Sequence, residues 1–283
     1  ARTGYTFAGW NTAADGSGDD YAEGATYATD ADVTLYAKWT ANQYTVTLDP
    51  QGGSGGSTIV IATYGSAMPT ATAPSKTGVV FDGYYTGLDG TGTQYYTATM
   101  ESARDWDITA NTVLNASWVD YQIGETGPAG GIVFYDKGDY TDGWRFLEAA
   151  PSDQSTGIPW GGFMTEVGSG AQGTAIGTGA ANTQAIVAEY GDEEPYENRA
   201  DYAAKRCDDL EYGGYDDWFL PSRDELNEMY IRREDIGGLA SAFYWSSSEH
   251  DANLAWGQQG YDSGLQGFSN KAVEYRVRAV RAF

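Results

Sequence analysis

Apolar and polar residues alternate in short runs along most of the chain. Tyr44, Val46 and Leu48 share one period-two face, and Thr58, Val60 and Ala62 share another. That spacing predicts two strands, with "PQGGSGG" as the turn between them. "GGIVFYDKG" (Gly130–Gly138) and "GWRFLEAAP" (Gly143–Pro151) are apolar runs bounded by Gly or Pro, and also read as strands. Helical spacing enters at Ala181–Gly191, where Ala185, Ile186 and Val187 lie among helix formers before a closing Gly. A second helix is expected through Ala200, Ala203, Ala204, Cys207 and Leu210, stopping at Gly213. "LPSRDELNEMY" predicts a third, with Ser222 as N-cap, Glu225 closing a capping box, and Leu226, Met229 and Tyr230 as its apolar face. "FYWSSSE", "NLAWGQQG" and "YRVRAVRAF" come next as three more strands, Val277 and Val280 facing the core. Trp218, Leu220, Trp245 and Trp256 are expected in or near it. After "FYWSSSE" the pattern stops making chemical sense: His250, Asp251, Asn253 and Leu254 share no theme.

The start of the chain repeats itself. "TGYTFAGW" (Thr3–Trp10) matches "TGVVFDGY" (Thr77–Tyr84), and "LYAKW" (Leu35–Trp39) matches "LNASW" (Leu114–Trp118). "YTVTLDPQGGSGGSTIVIATYGSAMP" stands before the second copy only. The first copy therefore reads as a partial repeat, expected to pack on the full one or to be the less stable part. The Gly-rich junction Val119–Gly131 marks a boundary near Asp120. Three regions are expected: a partial repeat at 1–41, a full repeat at 42–119 and a domain at 124–283.

Composition narrows the function. Of 283 residues, 22 are Tyr and 9 Trp, too much aromatic area for a disordered chain. The net charge of −24 steers the protein away from nucleic acid and anionic membranes. It suits solubility outside the cell. One Cys excludes an intramolecular disulfide framework, and no run of about 18 apolar residues exists to span a bilayer. Any export signal or lipid anchor would lie ahead of Ala1. The carboxylates of "DYTDG" (Asp139–Gly143) and "GDEEPYE" (Gly191–Glu197) lack the spacing of a calcium loop, so no metal and no cofactor is expected.

"YTVTLDPQGG", "TGVVFDGYYTG" and the closing Trp resemble the Listeria–Bacteroides (internalin B-type) repeat family over about residues 1–118. The resemblance implies small β-grasp-like modules serving as stalks in bacterial surface proteins. "GGIVFYD", "GWRFLEAAP", "GGYDDWFLPSRDEL", "YWSSSE" and "VRAVRAF" resemble the C-terminal domain family of the Legionella collagen-like adhesin. That implies an α+β class with a C-type-lectin-like domain of the formylglycine-generating-enzyme type. The end of the chain is similar to the variable region of diversity-generating retroelement proteins, of the Treponema variable protein type. In that family Asn codons of the AAY type are rewritten to NNY, which encodes every amino acid except Met, Trp, Lys, Glu and Gln. Within 250–275 those types stand only at Trp256, Gln258, Gln259, Gln266, Lys271 and Glu274, which become expected fixed positions. The variable, ligand-binding candidates are His250, Asp251, Leu254, Gly257, Gly260, Tyr261, Leu265, Gly267, Phe268, Ser269, Ala272, Val273 and Tyr275, within a variable region of about 249–283.

Three functions compete. One is a binding face, where Tyr261, Phe268, Tyr275, Ser269 and Asp251 resemble a paratope built on Tyr. A second is an enzyme, but formylglycine chemistry as its family runs it binds a metal through two cysteines. Only Cys207 exists, and it sits at an apolar helical position. His250, at a variable position, is a poor base for a triad. The third is a fixed-specificity glycan-binding adhesin, although residues 249–283 lack the basic cluster a sulfated polymer needs. Arg276, Arg278 and Arg281 are expected to pair with carboxylates such as Asp216, Asp217 or Glu225. The expectation is a non-enzymatic receptor on a bacterial cell surface, its partner a protein or glycan on another cell or host.

Overall fold

The computed structural model describes every residue except Thr29 and residues 192–200. Most of the acidic run "GDEEPYE" and the helical position Ala200 lie outside the described residues. The chain divides into two compact units, Ala1–Asp120 and Tyr121–Phe283.

In the N-terminal unit, β1 (Tyr5–Asn11), β2 (Asp20–Tyr21) and β3 (Tyr36–Ala41) form an antiparallel sheet in the order β2-β1-β3. Strands β4 (Gln43–Asp49), β5 (Ile59–Thr63), β6 (Val79–Tyr85), β7 (Gln94–Thr97) and β8 (Thr112–Asp120) form a second sheet, β5-β4-β8-β6-β7. Only the β4–β8 pair in it is parallel. The period-two pattern acts as it reads: Val46, Leu48, Val60 and Ala62 turn inward onto Phe81, Tyr84, Trp106 and Leu114.

The C-terminal unit holds β9 (Ile132–Asp136), β10 (Phe146–Ala149), β11 (Ser155–Ile158), α1 (Gly179–Tyr190), α2 (Ala203–Asp208), α3 (Arg223–Ile231) and α4 (Arg233–Ile236). It continues with β12 (Phe243–Glu249), β13 (Leu254–Gln259), β14 (Gln266–Asn270), β15 (Tyr275–Val277) and β16 (Val280–Ala282). Two sheets result, β16-β10-β9 and β11-β15-β12-β13-β14. "YRVRAVRAF" is therefore two strands in two sheets rather than one. The break falls at Arg278 and Ala279. The buried Arg278 guanidinium donates to Asp153 at 2.7 Å, Ala150 O at 3.1 Å and Gly238 O at 2.9 Å. A side chain spent on three acceptors off the strand redirects the chain there.

The α+β class, with a C-type-lectin-like domain after β-grasp-like modules, is not what the chain adopts. Among the described residues strand accounts for 34% and helix for 14%, so the fold is mostly β and sandwich-like. Two of the four described helices are very short: α2 stops at Asp208, short of Leu210 and Gly213, and α4 is a single turn. The arginine pairing holds at Asp217 and differs elsewhere. Arg281 meets Asp217 and Glu148, whereas Arg276 and Arg278 converge on Asp153. Among the described residues Glu225 meets no arginine; it accepts backbone N–H groups from Ser222, Gly177 and Gly179.

Candidate ligand-binding face

The serines of β12 are buried, which a strand tolerates only if each hydroxyl is satisfied. Ser246 donates to Trp256 O at 2.9 Å, Ser248 donates to Gly173 O at 2.7 Å, and Ser247 accepts from Asn182 at 3.2 Å. Trp245 adds an indole N–H to Ile158 O at 3.0 Å. A strand tied this way is a rigid base for the segment beyond it.

Past Glu249 the chain enters a turn built by Asp251. Its Oδ1 accepts from Asn253 N at 2.8 Å and Leu254 N at 2.9 Å, the side-chain turn that Asp favours. The Asn253 N–H and His250 hold the Asp251 carboxyl below its ordinary range. The chain then enters β13, which pairs with β14 so that Trp256 lies opposite Phe268 and Gln258 opposite Gln266. Residues directly opposite share one face of the sheet. On that face the His250 ring stacks on Phe268 at 4.4 Å. Trp256 meets Phe268 edge-on at 5.6 Å and His250 at 6.0 Å. The Arg223 guanidinium stands 5.2 Å over Trp256, a cation–π contact. His250 and Phe268 are exposed, and Asp251, Leu254 and Trp256 half-buried.

The remaining candidates fall elsewhere. Tyr261 and Leu265 are exposed on the β13–β14 connection. Tyr261 donates to Glu234 at 3.0 Å, and Glu234 pushes the phenol pKa up. Ser269 and Ala272 are half-buried, and Val273 is exposed. Tyr275 turns to the opposite face of the sheet, against Trp245 at 4.4 Å and Phe243 at 5.1 Å. The three glycines differ in the room around them. A Cβ at Gly257 would stand 2.9 Å from Tyr244 O, and one at Gly260 2.5 Å from the Tyr244 ring; at Gly267 it would meet nothing within 4 Å.

Four of the expected fixed positions hold the frame. Gln258 donates to Asn227 at 3.0 Å and to Gly264 O at 3.2 Å. Gln266 donates to Gln258 at 3.1 Å and to Arg223 O at 3.2 Å. Lys271 forms an ion pair with Glu249 at 2.5 Å, both side chains 0% exposed. Its ammonium also donates to Thr165 O at 2.8 Å and lies 4.7 Å over the Trp160 ring. Glu249 completes its shell with Val167 N at 2.9 Å and Gly168 N at 2.8 Å. Trp256 supports His250 and Phe268 from beneath. Arg223 and Asn227 are members that sequence reasoning missed. Both lie on α3, whose start is set by the Ser222–Glu225 capping box as expected. Nothing in the sequence ties that helix to β13; the only available signal was the helix start itself.

Two clefts of this unit are lined by other residues. One is walled by Asp208, Asp216, Asp217, Trp218 and Phe219, the other by Asp153, Gln154, Arg206 and Asp209. Cys207 is fully buried, and burial pushes its thiol well up, which disfavours the nucleophilic thiolate. At Asp139 the carboxylate is engaged by its neighbour Thr141. No group of three or more His, Cys, Asp and Glu able to hold a metal is found among the described residues. None of the described helices is long and apolar enough to cross a membrane.

Comparison with known proteins agrees on both regions. Residues 1–38 and 44–116 match the model of the Listeria-Bacteroides repeat domain family, and residues 150–281 match that of the Lcl C-terminal domain. A protein of Evansella cellulosilytica described as a Gly-rich membrane protein is 46% identical over 85 residues, 30% of this chain and 10% of its own length. Internalin H of Listeria monocytogenes is 39% identical over 99 residues, 35% of this chain and 17% of its own. The chain thus spans less than a fifth of the length of these relatives. A fimbrial protein from Bacteroides ovatus aligns with 91% of this chain and 74% of its own at a TM-score of 0.42 and 13% identity, too distant to argue from.

Proposed function

We propose that this protein is an adhesin-type receptor displayed on a bacterial surface, which binds its partner non-covalently through the β12–β14 end of the C-terminal unit. The observation that carries the reading is the contrast within that segment. His250 and Phe268 stand exposed in an aromatic group, while Gln258 and Gln266 are spent on hydrogen bonds within the frame and Lys271 on a buried ion pair. Rigid aromatic side chains give contact area at low entropy cost, which is what a binding face needs. The match to an adhesin-related C-terminal domain and the surface-protein names of the relatives support the placement.

The finer reading is that His250, Asp251, Leu254, Tyr261, Leu265, Gly267, Phe268, Ser269, Ala272 and Val273 are diversified by a retroelement on this frame. Gly257, Gly260 and Tyr275 contribute shape rather than contact. The ligand is a protein or glycan and leaves unchanged. The test is an array of proteins and glycans probed with two chains that share residues 1–249 and differ at the exposed positions. Different ligands support the reading. Equal capture of one ligand moves specificity off this face and favours a fixed-specificity glycan adhesin.

A further inference from the structure

The two sheets of the C-terminal unit have four outer edges, and three of them are covered or broken. Along β9, Gly124 N–H donates to Val133 O at 2.8 Å and Val133 N–H to Glu125 O at 2.9 Å, so the preceding loop lies on that edge. Along β16, Phe219 and Val280 exchange both backbone hydrogen bonds at 2.9 Å. β11 meets β15 only at Ser155 and Ile158, with a register shift between them. An edge that irregular does not template another strand.

The fourth edge is β14, and it is regular. Its register with β13 runs unbroken from Leu254 opposite Asn270 to Gln258 opposite Gln266. Its sequence, Gln266–Asn270, carries no charge and no Pro, the residues that usually blunt an edge. Lys271 N–H donates to Asn253 O at 2.9 Å and Gln259 N–H to Leu265 O at 3.0 Å, which fixes the phase of the ladder. Hydrogen-bonded pairs alternate in an antiparallel ladder, so Leu265, Gly267 and Ser269 face β13. Gln266 and Phe268 therefore turn their N–H and C=O groups outward, where among the described residues nothing meets them. The Phe268 side chain beside this edge is 51% exposed and stacked on His250.

We propose that the partner of this face is a protein that adds an extended segment to β14 as the next strand of the sheet. The inference rests on the reading that β12–β14 form the binding face, and it names the chemistry recognised there. Alternating donors and acceptors that repeat every two residues, about 6.8 Å, are matched by an extended polypeptide. A glycan presents hydroxyls without that repeat. The residue opposite Phe268 shares its side of the sheet, so an apolar side chain at that point packs on the Phe268–His250 pair. Charge selects among proteins. A second copy of this chain brings another −24 and is repelled, whereas a segment with Lys or Arg flanking its apolar residue is attracted.

The test pans the full chain against phage-displayed linear dodecapeptides and follows the enriched peptides, made synthetically, by amide hydrogen exchange. Binding should raise protection about tenfold or more at Gln266 and Phe268, with little change at Gly267 and Ser269, whose amides already pair with β13. Phe268→Ala and Phe268→Pro both lose the ring, but only Pro removes the outward N–H, and it does so without breaking a bond to β13. The Pro variant should bind the peptides about tenfold more weakly than the Ala variant. Equal binding by the two variants, or binding without protection at Gln266 and Phe268, overturns strand addition. If Phe268→Ala has by itself weakened that binding, the face stands and only the strand falls; binding untouched by either variant overturns both. Failure to enrich any peptide that protects these amides also overturns the proposal, and capture on a glycan array then assigns the face to a glycan. Sedimentation of the free chain as a dimer with these amides already protected overturns it too, because the edge then belongs to a second copy.

Discussion

Replacing Lys271 with Met removes one charge from a pair whose two side chains are 0% exposed. The remaining Glu249 carboxylate keeps two backbone donors, Val167 and Gly168, but loses its counter-ion. Breaking a buried pair on one side costs about 3–5 kcal/mol, because the surviving charge stays out of water. The two retained hydrogen bonds place the expected loss toward the lower end, about 3 kcal/mol. Met fills much of the space of the Lys stem, so the cavity contribution is small. With a urea slope of about 2 kcal/mol per molar, the midpoint of the C-terminal transition should fall by about 1–2 M. Tryptophan fluorescence reports it directly, since Trp160 lies 4.7 Å from the ammonium. The double variant Lys271→Met, Glu249→Leu should recover part of the loss, because no uncompensated charge remains. A shift below about 0.3 M, or a double variant weaker than the single one, would refute the buried-pair argument.

Phe268→Ala should leave the fold intact, since Phe268 is 51% exposed, but weaken capture of a ligand found by array about tenfold or more, measured by surface plasmon resonance. Gly260→Ala should cost about 1–3 kcal/mol in thermal unfolding through its clash with the Tyr244 ring, whereas Gly267→Ser should stay within about 0.5 kcal/mol. Ser222→Ala should cost about 0.5–2 kcal/mol by urea titration, because it removes the cap of α3. Burial raises the Glu225 carboxyl despite its backbone donors at Ser222, Gly177 and Gly179. A raised acid stabilises the fold below its unfolded value, and that contribution is lost as pH rises through the folded value. The stability gap between the parent protein and Glu225→Gln should therefore be widest near pH ~4 and narrow at higher pH.

Local pattern alone determined the elements whose signals are local. The alternation of Val46 and Leu48, the capping box at Ser222 and Glu225, and the closing Gly191 of α1 involve residues within one turn or one strand of each other, so the sequence carries the whole cause. The repeat was legible too, because Phe7 and Phe81 stand in matching words. The tertiary structure decided what depends on distant partners. One apolar run became β15 and β16 because Arg278 finds Asp153, Ala150 and Gly238 from elsewhere in the chain. The class proved mostly β although α1 and α3 formed over the expected residues; only α2 stopped early, at Asp208, short of Leu210 and Gly213. The candidate positions separated for the same reason. Gly257, Gly260 and Gly267 are one letter in the sequence, but only the atoms packed against each Cα decide that two have no room for a side chain and the third does. Arg223 reached Trp256, and Lys271 reached Glu249, across chain separations that no periodicity encodes. A linear pattern records which face a side chain takes along its own element, while the partner on that face is set only when separate elements close on one another.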